Sequence, residues 1–152
     1  MKTIRIISLV LLAVGFISSA RCADDQAKKD LALLQGEWSM VSGSADGQPM
    51  PDQMAKQMKR VCNGDELTVT MAGQTYLKAK ITLDASKSPK TIDYEMTDGL
   101  SKDSKQLGIY EVEGDTFKSC FNKPGAERPS DFKPGEGRTV SVWKRVKAGP
   151  AF

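Results

Sequence analysis

Between Leu77 and Leu83 the chain alternates almost without a break: Leu77, Ala79, Ile81 and Leu83 share one face, and Lys78, Lys80 and Thr82 share the other. A period of two marks a β-strand with one dry and one wet face. The pattern recurs along the chain. Leu67, Val69 and Met71 oppose Thr68 and Thr70, Ile92, Tyr94 and Met96 alternate with Asp93 and Glu95, and Phe117, Ser119 and Phe121 oppose Lys118 and Cys120. Trp38 with Met40, a short strand around Val61, Leu107 to Val112 and Val140 to Lys144 complete the series. Tight-turn sequences separate neighbours: Asn63-Gly64-Asp65, Ala72-Gly73-Gln74 and Glu113-Gly114-Asp115. An open sheet of about eight such strands would leave an apolar face and two unpaired edges in water. Closure removes both, so the expected fold is mainly β: an antiparallel up-and-down barrel of about eight strands. A two-sheet β-sandwich is the alternative. One short helix is predicted over about Asp52 to Lys59, with Met54 and Met58 on one face, placed to plug a barrel end. Asn122 to Gly137, rich in proline and glycine, is the longest loop.

The first residues have another character. Lys2 and Arg5 precede the almost wholly apolar run Ile6 to Ile17, and Ser18-Ser19-Ala20 supplies small residues at the cleavage positions of a secretory signal. The run is too short to span a bilayer, which takes about 20 apolar residues. The expected layout is a signal peptide over residues 1–20, a flexible polar leader over 21–30, a barrel domain over 31–146 and a tail over 147–152. The protein is then secreted or periplasmic. A lipoprotein would be lipidated at Cys22, but the bulky charged Arg21 before it suits that processing poorly. Without Lys2 and Arg5, 20 basic and 19 acidic residues remain. Such a balance gives no electrostatic reason to expect nucleic acid as a partner.

Export permits disulfides. Three cysteines follow the cleavage position, and with Cys22 in the leader, Cys62 and Cys120 are the pair left by elimination. Lone buried thiols are the competing possibility.

Chemistry is hard to find. The chain holds no histidine, which excludes Ser-His-Asp and Cys-His catalysis and histidine-ligated metals. No catalytic residues, metal ligands or cofactors are expected. Asp65, Glu66, Glu111, Glu113 and Asp115 cluster in hairpin turns, where acids serve turn formation and solubility. Ser141-Val142-Trp143-Lys144 matches S-x-x-K, but a strand sends that serine and lysine to opposite faces. Lys133-Pro134-Gly135-Glu136-Gly137-Arg138 offers glycines for a backbone anion nest but lacks the G-K-[ST] of a P-loop.

Gly36-Glu37-Trp38, just after a helical turn at Leu31, Leu33 and Leu34, resembles the G-x-W start of lipocalins. Further segments follow in order: Leu34-Gln35-Gly36-Glu37-Trp38, Pro89-Lys90-Thr91-Ile92-Asp93, Leu107-Gly108-Ile109-Tyr110-Glu111-Val112, Gly114-Asp115-Thr116-Phe117-Lys118 with Cys120, Arg128-Pro129 with Phe132, and Trp143-Lys144-Arg145. Together they resemble the lipocalin-like (calycin-type) domain family of unknown function found in many paralogous copies in Planctomycetes. The resemblance spans about Leu31 to Arg145. It implies a calycin-like barrel, an extracytoplasmic location and no established activity. It also implies structural roles for Gly36 and Trp38, with Arg145 or Arg138 supplying a cation over the Trp38 ring. Cys62 stands where a larger apolar residue is expected, and Cys120 where the family often has an unpartnered cysteine, which weighs against their bridge.

The function expected from these observations is non-enzymatic: an exported, monomeric module holding a small apolar ligand inside the barrel. The candidate lining residues are Trp38, Met40, Met71, Ile92, Tyr94 and Phe117, with Val69 and Ile81 left to the ordinary core. The alternative is a structural or interaction module of the cell envelope, binding a protein or polysaccharide through loops such as Asn122 to Gly137. An enzyme using carboxylates alone, with two acids facing each other across a cleft, is the third possibility.

Overall fold

The computed structural model describes residues 18–99 and 101–147. The apolar run expected as the core of a signal peptide, and the tail from residue 148, lie outside the described residues.

A helix α1 (Ser18–Leu33) leads into nine strands: β1 (Gly36–Ala45), β2 (Gln48–Pro49), β3 (Met58–Asn63), β4 (Glu66–Met71), β5 (Gln74–Asp84), β6 (Lys90–Gly99), β7 (Lys105–Glu113), β8 (Thr116–Asn122) and β9 (Arg138–Arg145). A short helix α2 (Asp52–Gln57) lies between β2 and β3. All pairings are antiparallel. The sheet runs in sequence order from β1 through β3 to β9, and β9 returns to pair with β1 along its length. The result is a closed eight-stranded lipocalin-like barrel, with the two-residue β2 as an extra strand on β1. Closure of one continuous sheet disposes of the sandwich alternative.

Alternation sets the core as expected. Trp38, Met40, Leu67, Val69, Ala79, Ile81, Ile92, Tyr94, Met96, Phe117 and Phe121 form one buried interior cluster. Burying each large side chain contributes about 1.5–3 kcal/mol. A second, smaller cluster of Ile109, Cys120 and Val140 lies on the outer face beneath Phe132 of the long β8–β9 connection. That connection is tied down further by Arg128, whose Nη1 donates to Asp93 Oδ1 at 2.6 Å and to the Gly108 carbonyl at 2.7 Å. Gly108 itself allows a close approach. A Cβ there would stand 2.4 Å from the Phe121 ring.

Three expectations need correction. The polar stretch 21–30 is helical rather than a flexible leader. Asp30, only 1% exposed, explains why. Its carboxylate accepts from Gln26 Nε2 at 2.8 Å, Lys90 Nζ at 2.7 Å and Tyr110 Oη at 2.7 Å, docking α1 on β6 and β7. Burial alone would raise the Asp30 pKa, but these three donors hold it below the usual carboxylate value. The second correction concerns α2, which ends at Gln57; Met58 and Lys59 already belong to β3. Ala55, not Met54, is its buried residue, and Met54 is exposed. The third is the bridge between Cys62 and Cys120. Both are buried free thiols. Cys62 faces the interior and Cys120 the outer cluster, so the barrel wall separates them.

Candidate functional site

One end of the barrel is closed by α1. Gly36 takes a positive φ of 90°, a left-handed conformation natural to glycine, as the chain leaves α1 for β1. Trp38 follows, fully buried, its Nε1 donating to the Leu34 carbonyl at 3.0 Å. The Arg145 guanidinium lies 4.4 Å from the Trp38 ring centroid. The same guanidinium donates to the Gln35 carbonyl at 2.8 Å and to the Leu33 carbonyl. These contacts lock the helix terminus, the first strand and the last strand together. Gly36, Trp38 and Arg145 are therefore a structural group.

The other end is open. A cavity of about 480 Å³ enters between the β1–β2 turn, the β6–β7 loop and the start of the long connection, at Asp46, Ser101, Lys123 and Pro124. Its apolar wall includes Met40, Met58, Val69, Leu77, Met96 and Phe121. This volume lies within the range of small-molecule sites, about 300–1,000 Å³, which are mostly apolar with a few placed polar groups.

The polar groups sit on the inward faces of four strands. Arg60 on β3 is only 1% exposed and lines this cavity. Its guanidinium carbon lies 4.2 Å from the Phe117 ring centroid and 5.9 Å from that of Trp143. Its Nε and Nη2 have no hydrogen-bond partner, and it makes no ion pair among the described residues. Two residues beyond Phe117 and two before Trp143, the facing pair Ser119 and Ser141 forms the next inward layer, with hydroxyl oxygens 3.0 Å apart. Trp143 Nε1 donates to Ser141 Oγ at 2.8 Å. Tyr94, stacked on Phe121 at 4.3 Å between centroids, completes the group; burial pushes its phenol up, keeping it neutral.

The candidate lining residues divide. Met40 and Tyr94 do face the cavity. Trp38, Ile92 and Phe117 are fully buried in the packed layer beneath it and do not line it. Met71 fails for the opposite reason. It sits at the β4–β5 hairpin, where the register shifts after Val69, and is 37% exposed. Val69, expected in the ordinary core, is part of the cavity wall.

The sequence alone conceals Arg60: Val61, the one aliphatic residue of that weak strand, points outward. The available signal was the alternation Met58, Arg60, Cys62, all three buried in β3.

Elsewhere the polar groups are spent locally. Asp65, Glu66, Glu111, Glu113 and Asp115 are all exposed. Asp115 pairs with Arg145 at 3.1 Å. The glycine-rich segment before Arg138 does not present a free anion nest: the Gly137 amide donates to Asp46 Oδ1 at 2.9 Å, and Arg138 pairs with Asp131 at 2.8 Å. Ser141 faces inward and Lys144 outward, as strand geometry requires. No group of three or more metal-binding side chains occurs among the described residues, and no described helix is long and apolar enough to cross a membrane.

By fold the chain is a lipocalin-like β-barrel, sealed at one end and open into an apolar cavity at the other. No protein-family model, curated protein or solved structure matches it.

Proposed function

We propose that this protein is an exported, non-enzymatic carrier or sensor module of the Planctomycete lipocalin-like family, holding a small apolar ligand in its barrel. The observation carrying the proposal is the cavity of about 480 Å³, walled by methionine, leucine, valine and aromatic side chains and reached from one end. Methionines suit such a wall because unbranched thioether side chains repack around varied apolar shapes. The opposite end is sealed by α1, Trp38 and Arg145, so a ligand enters and leaves through the loops at Asp46, Ser101 and Lys123. Export is supported by the charged, apolar and small-residue order of the first 20 residues.

The test uses a neutral fluorescent naphthylamine dye and protein stripped of bound lipid. Saturable enhancement of dye emission, with energy transfer from Trp143, is expected. The substitution Leu77→Trp fills the cavity wall and should abolish it. No saturable binding by the stripped wild type, or equal binding after Leu77→Trp, would overturn the proposal.

A further inference from the structure

The barrel interior contains a charge that no described residue balances. Arg60 is buried, faces the cavity, and pairs with no carboxylate among the described residues. Its two unpartnered atoms, Nε and Nη2, are the adjacent donors along one edge of the guanidinium. That edge is the one that matches the two oxygens of a carboxylate, donor to acceptor. An unpaired buried charge is costly, and an apolar residue would serve packing alone better.

A second donor belongs to the same cavity. Ser141 Oγ accepts from Trp143, and one hydroxyl of the Ser119–Ser141 pair donates to the other. Whichever serine donates, the other keeps one hydroxyl hydrogen unspent. These serines lie one inward layer nearer the mouth than Phe117, the ring over which Arg60 rests.

We propose that the barrel selects an apolar monocarboxylate, its head paired with the Arg60 guanidinium and a Ser119 or Ser141 hydroxyl, its tail along the methionine-lined wall toward the mouth. This rests on ligand binding in the cavity and adds the chemical class of the ligand. The Phe117 and Trp143 rings hold the guanidinium in place through their faces, and Arg60 lines the cavity wall. No covalent step is involved.

The experiment compares dodecanoate, dodecanol and dodecylamine by titration calorimetry on stripped wild type, below their micellar concentrations. Arg60→Met, Arg60→Gln and Arg60→Lys are run beside it. The wild type should bind dodecanoate about tenfold or more tighter than dodecanol, the ratio that charge-assisted hydrogen bonds supply, and dodecylamine weakest. The ratio should collapse toward unity in Arg60→Met and Arg60→Gln and persist in part in Arg60→Lys. Dodecanol binding the wild type as tightly as dodecanoate, or an undiminished ratio in Arg60→Met, would overturn the carboxylate assignment while leaving the cavity as a ligand site. Should none of the three bind, the cavity reading itself fails and the assignment with it. The wild-type comparison alone decides the matter if a variant does not fold.

Discussion

Removing Arg60 should make the ligand-free protein more stable. The residue is 1% exposed, and two of its donors, Nε and Nη2, have no partner. Each buried unsatisfied donor costs about 1–3 kcal/mol. Against this stand the cation–π contacts with Phe117 at 4.2 Å and, more weakly, Trp143 at 5.9 Å, which together contribute about 2 kcal/mol when desolvated. Methionine has a similar reach, keeps the apolar packing and needs no hydrogen bonds. Taking the middle of the donor range, Arg60→Met gains about 4 kcal/mol and loses about 2, a net stabilisation of about 2 kcal/mol. Urea titration of lipid-stripped protein, followed by tryptophan emission, measures it. The midpoint should rise with the m-value unchanged. Adding dodecanoate should then stabilise the wild type more than the variant, because only the wild type gains the anion pair. Such opposition between stability and binding is expected of a functional charge. A variant destabilised by 1 kcal/mol or more in the stripped state would refute the reasoning and make Arg60 a structural keystone.

Further outcomes follow from the same geometry. Arg145→Ala removes donors to the Gln35 and Leu33 carbonyls and the cation over Trp38, and should cost about 2–4 kcal/mol in urea denaturation. Asp30 has its folded pKa depressed below the ordinary 3.8, so its stabilisation is present above that pH and is lost as pH falls through the lower folded value. Acid titration of the wild type should therefore lose stability below about pH 4, and Asp30→Asn should flatten that part of the curve. Gly108→Ala drives a methyl into the Phe121 ring and should cost about 1–3 kcal/mol, with weaker cavity binding as Phe121 shifts against Tyr94. In thiol titration with an aromatic disulfide reagent, the exposed Cys22 should react in the native protein, and Cys62 and Cys120 only after unfolding. Burial pushes both buried thiols up and further slows them. Failure to detect the two extra thiols in denaturant would reinstate the bridge.

Much of the barrel was legible because its strands are amphipathic in the simplest way. Ile81 and Lys80 announce their faces by composition, and β5 and β6 follow their alternation closely. Arg60 was not legible, since an arginine between a lysine and a valine reads as a wet position, and only its register with Trp38 and Val69 turns it inward. Nor was α1. Its polar sequence gains a buried anchor only when Lys90 and Tyr110, 60 and 80 residues away, reach Asp30. Alternation also cannot report depth along a barrel. Ile92 and Tyr94 share a face of β6, yet Ile92 lies in the packed layer and Tyr94 in the cavity wall.

Methionine methyl NMR tests most directly whether a carboxylate-bearing apolar molecule sits inside the barrel. With ¹³C-methyl methionine in the stripped protein, dodecanoate should shift the resonances of Met40, Met58 and Met96, which line the cavity. Met54, exposed on α2, should stay where it is. Shifts confined to Met54 and the outer rim, or the same three shifts produced equally well by dodecanol, would contradict the account.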